Sequence, residues 1–164
     1  MWSWSITAPL TRQSKILRVF SPGFPNGTLL LTRRSCLLDI GLFDERFFAY
    51  GEENDLGLRA KAAGWEVGIV KGARVHNPAT TSTTLIMEYL LHRNTLLLVK
   101  EHSGVFQAYV RLLLAIIELI AGLIRPAWRM PIFSVRGRIW GIVDFLRHRY
   151  GPPPREFFKG LDNH

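Results

Sequence analysis

Phe43-Asp44-Glu45-Arg46-Phe47-Phe48-Ala49-Tyr50-Gly51-Glu52-Glu53-Asn54-Asp55-Leu56-Gly57-Leu58-Arg59-Ala60 is the stretch that decides how this chain reads. Asp44, Glu45, Glu52, Glu53 and Asp55 set five carboxylates between a run of aromatic rings and the start of an apolar repeat. Leu56, Ala60 and Ala63 recur at the spacing of one helical face, so a helix is expected over Glu52 to Ala63. Gly64 supplies the left-handed residue that closes such a helix. Ahead of it, Gly41 to Tyr50 mixes rings and charges at no fixed period, the pattern of a loop that packs its aromatics and presents its polar groups. Glu52, Glu53 and Asp55 fall in the first helical turn, where unbonded N–H groups and the helix dipole favour negative charge.

From the residues alone, this pattern is either a well-capped helix with a solvated acidic face or a site for proton transfer. Phe47, Phe48 and Tyr50 can desolvate a neighbouring carboxylate, and adjacent Glu52 and Glu53 repel each other; both effects raise basicity. A carboxylate so placed suits removal of a proton from a sugar hydroxyl.

Working outward, Gly27 to Thr32 reads as a buried strand and Ser35 to Ile40 as a turn or short helix. Trp65 to Val70 alternates with period two, putting Trp65, Val67 and Ile69 on one face of a second strand; Lys71-Gly72 turns the chain into a short segment, Ala73 to His76. From Thr80 the pattern becomes helical. Thr84 to His102 reads as an amphipathic helix with Tyr89, Arg93 and Lys100 as polar breaks, and Val105 to Ile124 as a more apolar one. Ile132 to Arg149 is a third helix, with Val135, Ile139, Val143 and Leu146 on one face and Arg136, Arg138, Arg147 and Arg149 elsewhere.

A chain of 164 residues that is 48% hydrophobic and 21% charged can bury a core, which excludes a disordered polymer. The formal charge of +8 favours an anionic partner, and residues 104–164 are the more basic part. No nucleic-acid motif is present and the basic residues lie among aliphatic positions, so nucleic acid is not expected as a partner. The lone Cys36 excludes an internal disulfide and reads as a small core residue. Asn26-Gly27-Thr28 fits a glycosylation sequon that matters only in a secreted chain, and Met1-Trp2-Ser3-Trp4 does not open a secretory signal. Cytoplasmic location is therefore the default expectation. The apolar run Val110 to Ile124 is interrupted by Arg111 and Glu118, and its uncharged pieces fall short of a membrane span.

The acidic stretch resembles the C-terminal half of the catalytic domain of the family-two glycosyltransferases, the rhamnosyltransferase-like inverting enzymes with a GT-A fold. The resemblance is carried by Gly41, Phe43-Asp44-Glu45, Phe47-Phe48, Glu52-Glu53, Asp55-Leu56, Arg59 and Ala63-Gly64-Trp65. Gly27 to Arg34, Arg74-Val75-His76, and Tyr89 with His92-Arg93-Asn94 extend it over roughly residues 20–103. It implies an α/β fold, a partial GT-A-like mixed sheet with flanking helices, followed by a helical C-terminal extension. Three regions follow: a lead-in over 1–20, an acceptor-side half of a catalytic domain over 21–103, and a basic, apolar helical extension over 104–164.

By the same resemblance, Glu53 is the catalytic base, Asp44, Glu45, Glu52, Asp55 and Arg59 bind or position the acceptor, and His76 approaches the diphosphate or its metal. Many relatives have Asp where Glu53 stands, one methylene shorter in reach. The implied partners are a nucleotide-sugar donor and a glycan or lipid-linked acceptor. The implied cofactor is a divalent metal, Mg or Mn, but the family's Asp-x-Asp motif is absent here, as is its N-terminal donor-binding region. The expectation is thus a chain that acts with a donor-half polypeptide or as a homo-oligomer. The C-terminal helices are open to two readings, an ordinary extension or a segment held at an anionic membrane surface on the cytoplasmic leaflet. The alternative to an enzyme part is a non-catalytic membrane-surface or protein-interaction module.

Overall fold

The computed structural model of the chain describes residues 19–20, 29–70, 76, 84–128 and 132–158. Its elements in order are β1 (Val19–Phe20), α1 (Arg34–Ile40), α2 (Glu52–Ala62), β2 (Ile69–Val70), α3 (Thr84–Ser103), α4 (Val105–Ile124) and α5 (Val135–Leu146). Short 3₁₀ turns cover Pro126–Trp128 and Arg155–Phe157.

The expected α/β fold with a mixed sheet is not what the described residues form. They are helical, and their β-structure is one antiparallel pair in which Val19 faces Val70 and Phe20 faces Ile69. Leu29 to Thr32 and Trp65 to Gly68 are irregular where strands were expected; Gly27 and Thr28 lie outside the described residues. The physical reason is that β-propensity expresses packing against neighbouring strands more than a backbone preference, and two short strands alone make a marginal sheet. Helices close their own hydrogen bonds, so α1 to α5 need no such partners.

The chain divides into two compact units. One takes Met1–Phe43 with Glu53–Thr80, and the other takes Asp44–Glu52 with Thr81–His164.

In the first unit, α2 buries Leu56, Gly57 and Ala60, while Ala63 of the expected face lies exposed just past the helix end. Gly64, at φ +85°, closes α2 as its spacing implies: its N–H donates to the Lys61 carbonyl and that of Trp65 to the Ala60 carbonyl. Cys36 on α1 is buried, and Trp65 Nε1 donates to Asp39 Oδ2 at 2.8 Å, tying the post-helix segment to α1.

In the second unit, α3 is the central helix, packed on both α4 and α5. One apolar cluster joins Leu96 to Ala108, Leu112 and Ala115 of α4 and to Ile142 and Phe145 of α5. Another joins Ile86, Tyr89 and Leu90 to Phe157. Full burial of each large side chain stabilises the unit by about 1.5–3 kcal/mol.

Two buried faces differ from expectation. Tyr89 and Arg93, which read as polar breaks in α3, are buried together with Glu88 and Asn94. On α5 the buried positions include Gly137, Arg138, Gly141, Asp144 and Phe145, whereas Ile139 and Leu146 of the expected face are exposed. The cause lies in the two glycines. A Cβ on Gly137 would sit 2.7 Å from the Leu85 carbonyl oxygen, and one on Gly141 would sit 2.7 Å from that of Tyr89. Close backbone approach therefore turns this face, rather than the bulkier aliphatic one, toward α3.

Candidate functional site

The acids of the deciding stretch fall in both units. In the first, the opening turn of α2 holds Glu53 partly buried and Asp55 almost fully buried. Asp55 accepts from Arg59 one turn on, Oδ2 lying 2.9 Å from Nε and 2.8 Å from Nη2. The same guanidinium donates to the carbonyls of Ile40 at 2.6 Å and Leu42 at 2.8 Å. Arg59 thus fastens the end of α1 to α2, and Asp55 fixes the guanidinium in that geometry. Removing Arg59 would take from the buried Asp55 carboxylate the guanidinium it accepts from, a change of the kind that destabilises a fold strongly.

In the second unit, Asp44 Oδ1 accepts the backbone N–H of Arg46 at 2.9 Å, starting the turn over residues 45–47. Arg46 bridges Asp44 at 2.6 Å and Glu101 at 3.1 Å, and these two carboxylates hold its guanidinium firmly charged. Glu45 is exposed and Glu52 partly buried.

The loop between Asp44 and Glu52 is held from α3. Phe47 is fully buried, and the chain reverses through Phe48 and Tyr50 at φ +65° each and Gly51 at φ +109°. Left-handed backbone at non-glycine residues costs of order 1 kcal/mol or more each and persists only where the surroundings fix it. Here Asn94 fixes it: Nδ2 lies 2.8 Å from the Phe47 carbonyl, 2.7 Å from that of Ala49 and 2.8 Å from that of Tyr50. Arg93 reinforces the hold, donating to the carbonyls of Phe47 at 3.2 Å and Arg46 at 3.3 Å.

The clamp is itself anchored. Arg93 donates to Asn94 Oδ1 and to the Tyr89 hydroxyl, each at 3.0 Å, and that hydroxyl donates to Asp144 of α5 at 2.8 Å. Burial pushes the Tyr89 phenol up to about 12, and donation to Asp144 adds to the rise against the opposing charge of Arg93. His92-Arg93-Asn94 has no role in the sequence pattern beyond extending the resemblance. The available signal was a polar triplet set inside a leucine run, which on a buried helix demands partners.

A second polar group lies beside a cavity of about 460 Å³ lined by Glu88, His92, Arg111, Glu118 and Arg138 among aliphatic residues. Glu88 and Arg138 form a buried ion pair at 2.5 Å, and Glu88 also accepts the Ser134 N–H at 3.4 Å. His92 Nδ1 lies 3.0 Å from the Glu88 carbonyl, so the ring donates from Nδ1, leaving a buried, unpartnered Nε2. Burial, then the charge of Arg138, lowers the His92 pKa, while Glu88 opposes the shift.

The unfolded chain therefore takes up a proton at His92 before the folded one does, and stability falls as pH drops below the ordinary histidine value of about 6.5. Urea titrations from pH 7.5 to 5.5 are expected to show this acid-side loss, and His92→Gln is expected to reduce it. An equal slope in both proteins counts against neutral His92 in the fold.

Of the remaining candidate residues, His76 is exposed, and the rest of Ala73 to His76 lies outside the described residues. Among the described residues no three His, Cys, Asp or Glu side chains converge as metal ligands. Hard divalent ions need several oxygens, and Asp55, in the Glu53-Asn54-Asp55 spacing, is committed to Arg59. The described residues do not fit the implied Mg or Mn site.

Over 93 residues the chain is 39% identical to N-acetylglucosaminyl-diphospho-decaprenol L-rhamnosyltransferase of Mycobacterium tuberculosis, in strains CDC 1551 / Oshkosh and ATCC 25618 / H37Rv. The match covers 54% of this chain and 30% of those relatives' length, so the chain spans under a third of the proteins it resembles. No family model and no solved structure matches the chain. The similarity is thus to part of a glycosyltransferase.

Proposed function

We propose that this chain supplies the acceptor side and the general base of an inverting glycosyl transfer from a nucleotide-sugar donor to a hydroxyl of a lipid-linked glycan. Glu53 takes the proton of the acceptor hydroxyl while that oxygen bonds to the anomeric carbon. The bond from that carbon to the donor diphosphate breaks on the opposite face, its electron pair leaving with the nucleotide. The anomeric configuration inverts, and Glu53 ends protonated.

The observation that carries this reading is the arrangement at the start of α2. Glu53 sits partly buried in the first turn, on a helix that Asp55 and Arg59 fasten to the end of α1. The acid stretch and the 39% identity supply the chemical class. The relatives' own acceptor, N-acetylglucosaminyl-diphospho-decaprenol, supplies the acceptor class. Asp44, Glu45, Glu52, Asp55 and Arg59 serve to position the acceptor or the loop, and His76 to approach the diphosphate. A donor-binding polypeptide completes the site, and Leu31, Leu38 and Leu42, all well exposed, give it apolar surface to cover.

The test combines the full chain with a donor-binding half and follows transfer from nucleotide sugar to lipid-linked acceptor. Glu53→Gln is expected to reduce turnover about 10²-fold or more, the range for loss of a general base, with Glu53→Asp intermediate because its reach is shorter. Turnover unchanged in Glu53→Gln sinks the assignment. By itself the chain is expected to show little nucleotide-sugar affinity in calorimetry.

A further inference from the structure

Helix α4 has two unlike sides. Ala108, Leu112, Ala115, Leu119 and Gly122, spaced four and three apart, form the buried stripe that meets the rest of the second unit. At about 100° per residue, this stripe occupies only a narrow sector of the helix. Gln107, Arg111 and Glu118 fall together on one edge, where Arg111 pairs with Glu118 at 3.3 Å. Roughly half of the circumference remains, and it is apolar and exposed. Phe106, Tyr109, Leu113, Ile117, Ile120 and Ile124 run along its centre and are between 49% and 77% exposed.

An exposed apolar surface of this extent, on the order of 1,000 Å², exceeds the few hundred that a soluble monomer ordinarily presents. Its width also selects the occupant. A partner helix, including that of a second copy, covers an apolar stripe of about 100°, whereas a bilayer covers a whole half-cylinder. Charge agrees with this choice: Lys100 and His102 end α3 just before α4, Arg125 follows α4, and Arg136, Arg147 and Arg149 are exposed. The basic excess of residues 104–164 thus lies in the same stretch of sequence as α4.

By length and composition α4 is also able to cross a membrane. Its buried stripe, however, binds it to α3 and α5, which carry the Glu88–Arg138 pair and the exposed arginines of α5. A crossing helix would draw these charges into hydrocarbon, while a helix lying flat keeps them on the water side.

We infer that α4 lies along the surface of an anionic phospholipid bilayer, its exposed half sunk into the acyl boundary and its stripe holding the second unit above it. The inference does not depend on Glu53 acting as a base. Its failure and the failure of the catalytic reading show up in separate assays.

The experiment is flotation of the full chain with vesicles of phosphatidylglycerol and phosphatidylcholine, compared with phosphatidylcholine alone. The chain is expected to float with the anionic vesicles and several-fold less with the neutral ones. Leu113→Asp/Ile117→Asp is expected to cut the partition coefficient roughly tenfold or more, since two buried aliphatic side chains are lost and two charges gained. Phe106→Ser/Ile124→Ser, at exposed ends of the face, repeats the test where folding is undisturbed by new charge; unchanged circular dichroism confirms the fold of each variant. Cysteines introduced at Ser103 and Ala127, exposed residues just beyond the two ends of α4, are both expected to react with an impermeant reagent from outside the vesicle.

Three results overturn the inference. The chain fails to float; the variants float like the parent, including the case in which they only dissociate a self-associated form; or one of the two cysteines reacts only after lysis, which means that α4 crosses.

Discussion

Replacing both Gly137 and Gly141 by alanine is expected to destabilise the second unit by about 3 kcal/mol, lowering its thermal midpoint by roughly 12–24 °C for a unit of this size. Each added Cβ would meet a backbone carbonyl oxygen of α3 at 2.7 Å, from Leu85 and Tyr89 respectively. Backbone cannot turn aside as a flexible side chain does, so the helices must separate. The neighbours leave little room: the Gly137 Cβ would also lie 3.0 Å from Glu88 Cβ, and that of Gly141 3.2 Å from His92 Cβ.

Separation would loosen the contact of Leu96 with Ile142 and Phe145 and strain the Glu88–Arg138 pair and the Tyr89–Asp144 bond. Alanine gains about 1 kcal/mol per site in helix propensity, an offset already included in the net figure. The sites share one interface, so their effects are not additive. Ile139→Ala, on the exposed face, is expected to change stability by under about 0.5 kcal/mol. The measurement is thermal unfolding by circular dichroism. A midpoint that rises in the double variant would falsify the close-packed α3–α5 seam.

The contrast between Gly141 and Ile139 shows why the helices were legible in the sequence while their orientation was not. Periodicity places α2 to α5 because apolar residues recur at helical spacing, and Gly64 closes α2 as its position implies. A hydrophobic-face argument, however, weighs side-chain bulk. It selects Ile139 and Leu146 and passes over glycine, whose contribution is the approach that its missing side chain permits. The sheet failed for a different reason. Trp65 to Val70 alternates as a strand should, yet a strand depends on neighbours that a local pattern cannot identify; here only Ile69–Val70 found a partner.

The candidate site was legible in part for the same physical reasons. Asp55 and Arg59 stand four apart on one helix, so their ion pair follows from spacing. That Arg59 also holds the carbonyls of Ile40 and Leu42 does not, because those partners lie 19 and 17 residues away. Asn94 is the extreme case. The carbonyls it binds are more than forty residues distant in sequence, and on a helix its polar side chain resembles a solvent-facing break.

Asn94→Ala is expected to cost about 3 kcal/mol and to impair transfer further than that loss explains. The side chain divides two amide hydrogens among the carbonyls of Phe47, Ala49 and Tyr50, and its Oδ1 accepts from Arg93. Alanine leaves these buried groups without that partner, at about 1–3 kcal/mol for each group left unsatisfied, with relaxation and water limiting the sum. It also removes what holds Phe48 and Tyr50 at φ +65°, so the loop relaxes toward ordinary backbone angles. Glu52, the first residue of α2, follows this loop directly, and a displacement of about 1 Å at a group that positions the acceptor can cost on the order of 10²-fold in rate.

Asn94→Asp separates the two effects. A carboxylate has no N–H to give the three carbonyls, but its oxygen can still accept from Arg93, so it preserves one bond of the clamp without the loop restraint. Transfer assayed well below each variant's thermal midpoint, in the presence of a donor-binding half, is expected to fall in both variants while circular dichroism reports intact helices. If both variants retain parental turnover once folded, Asn94 serves stability alone, and the geometry of the loop ahead of Glu53 has no part in catalysis.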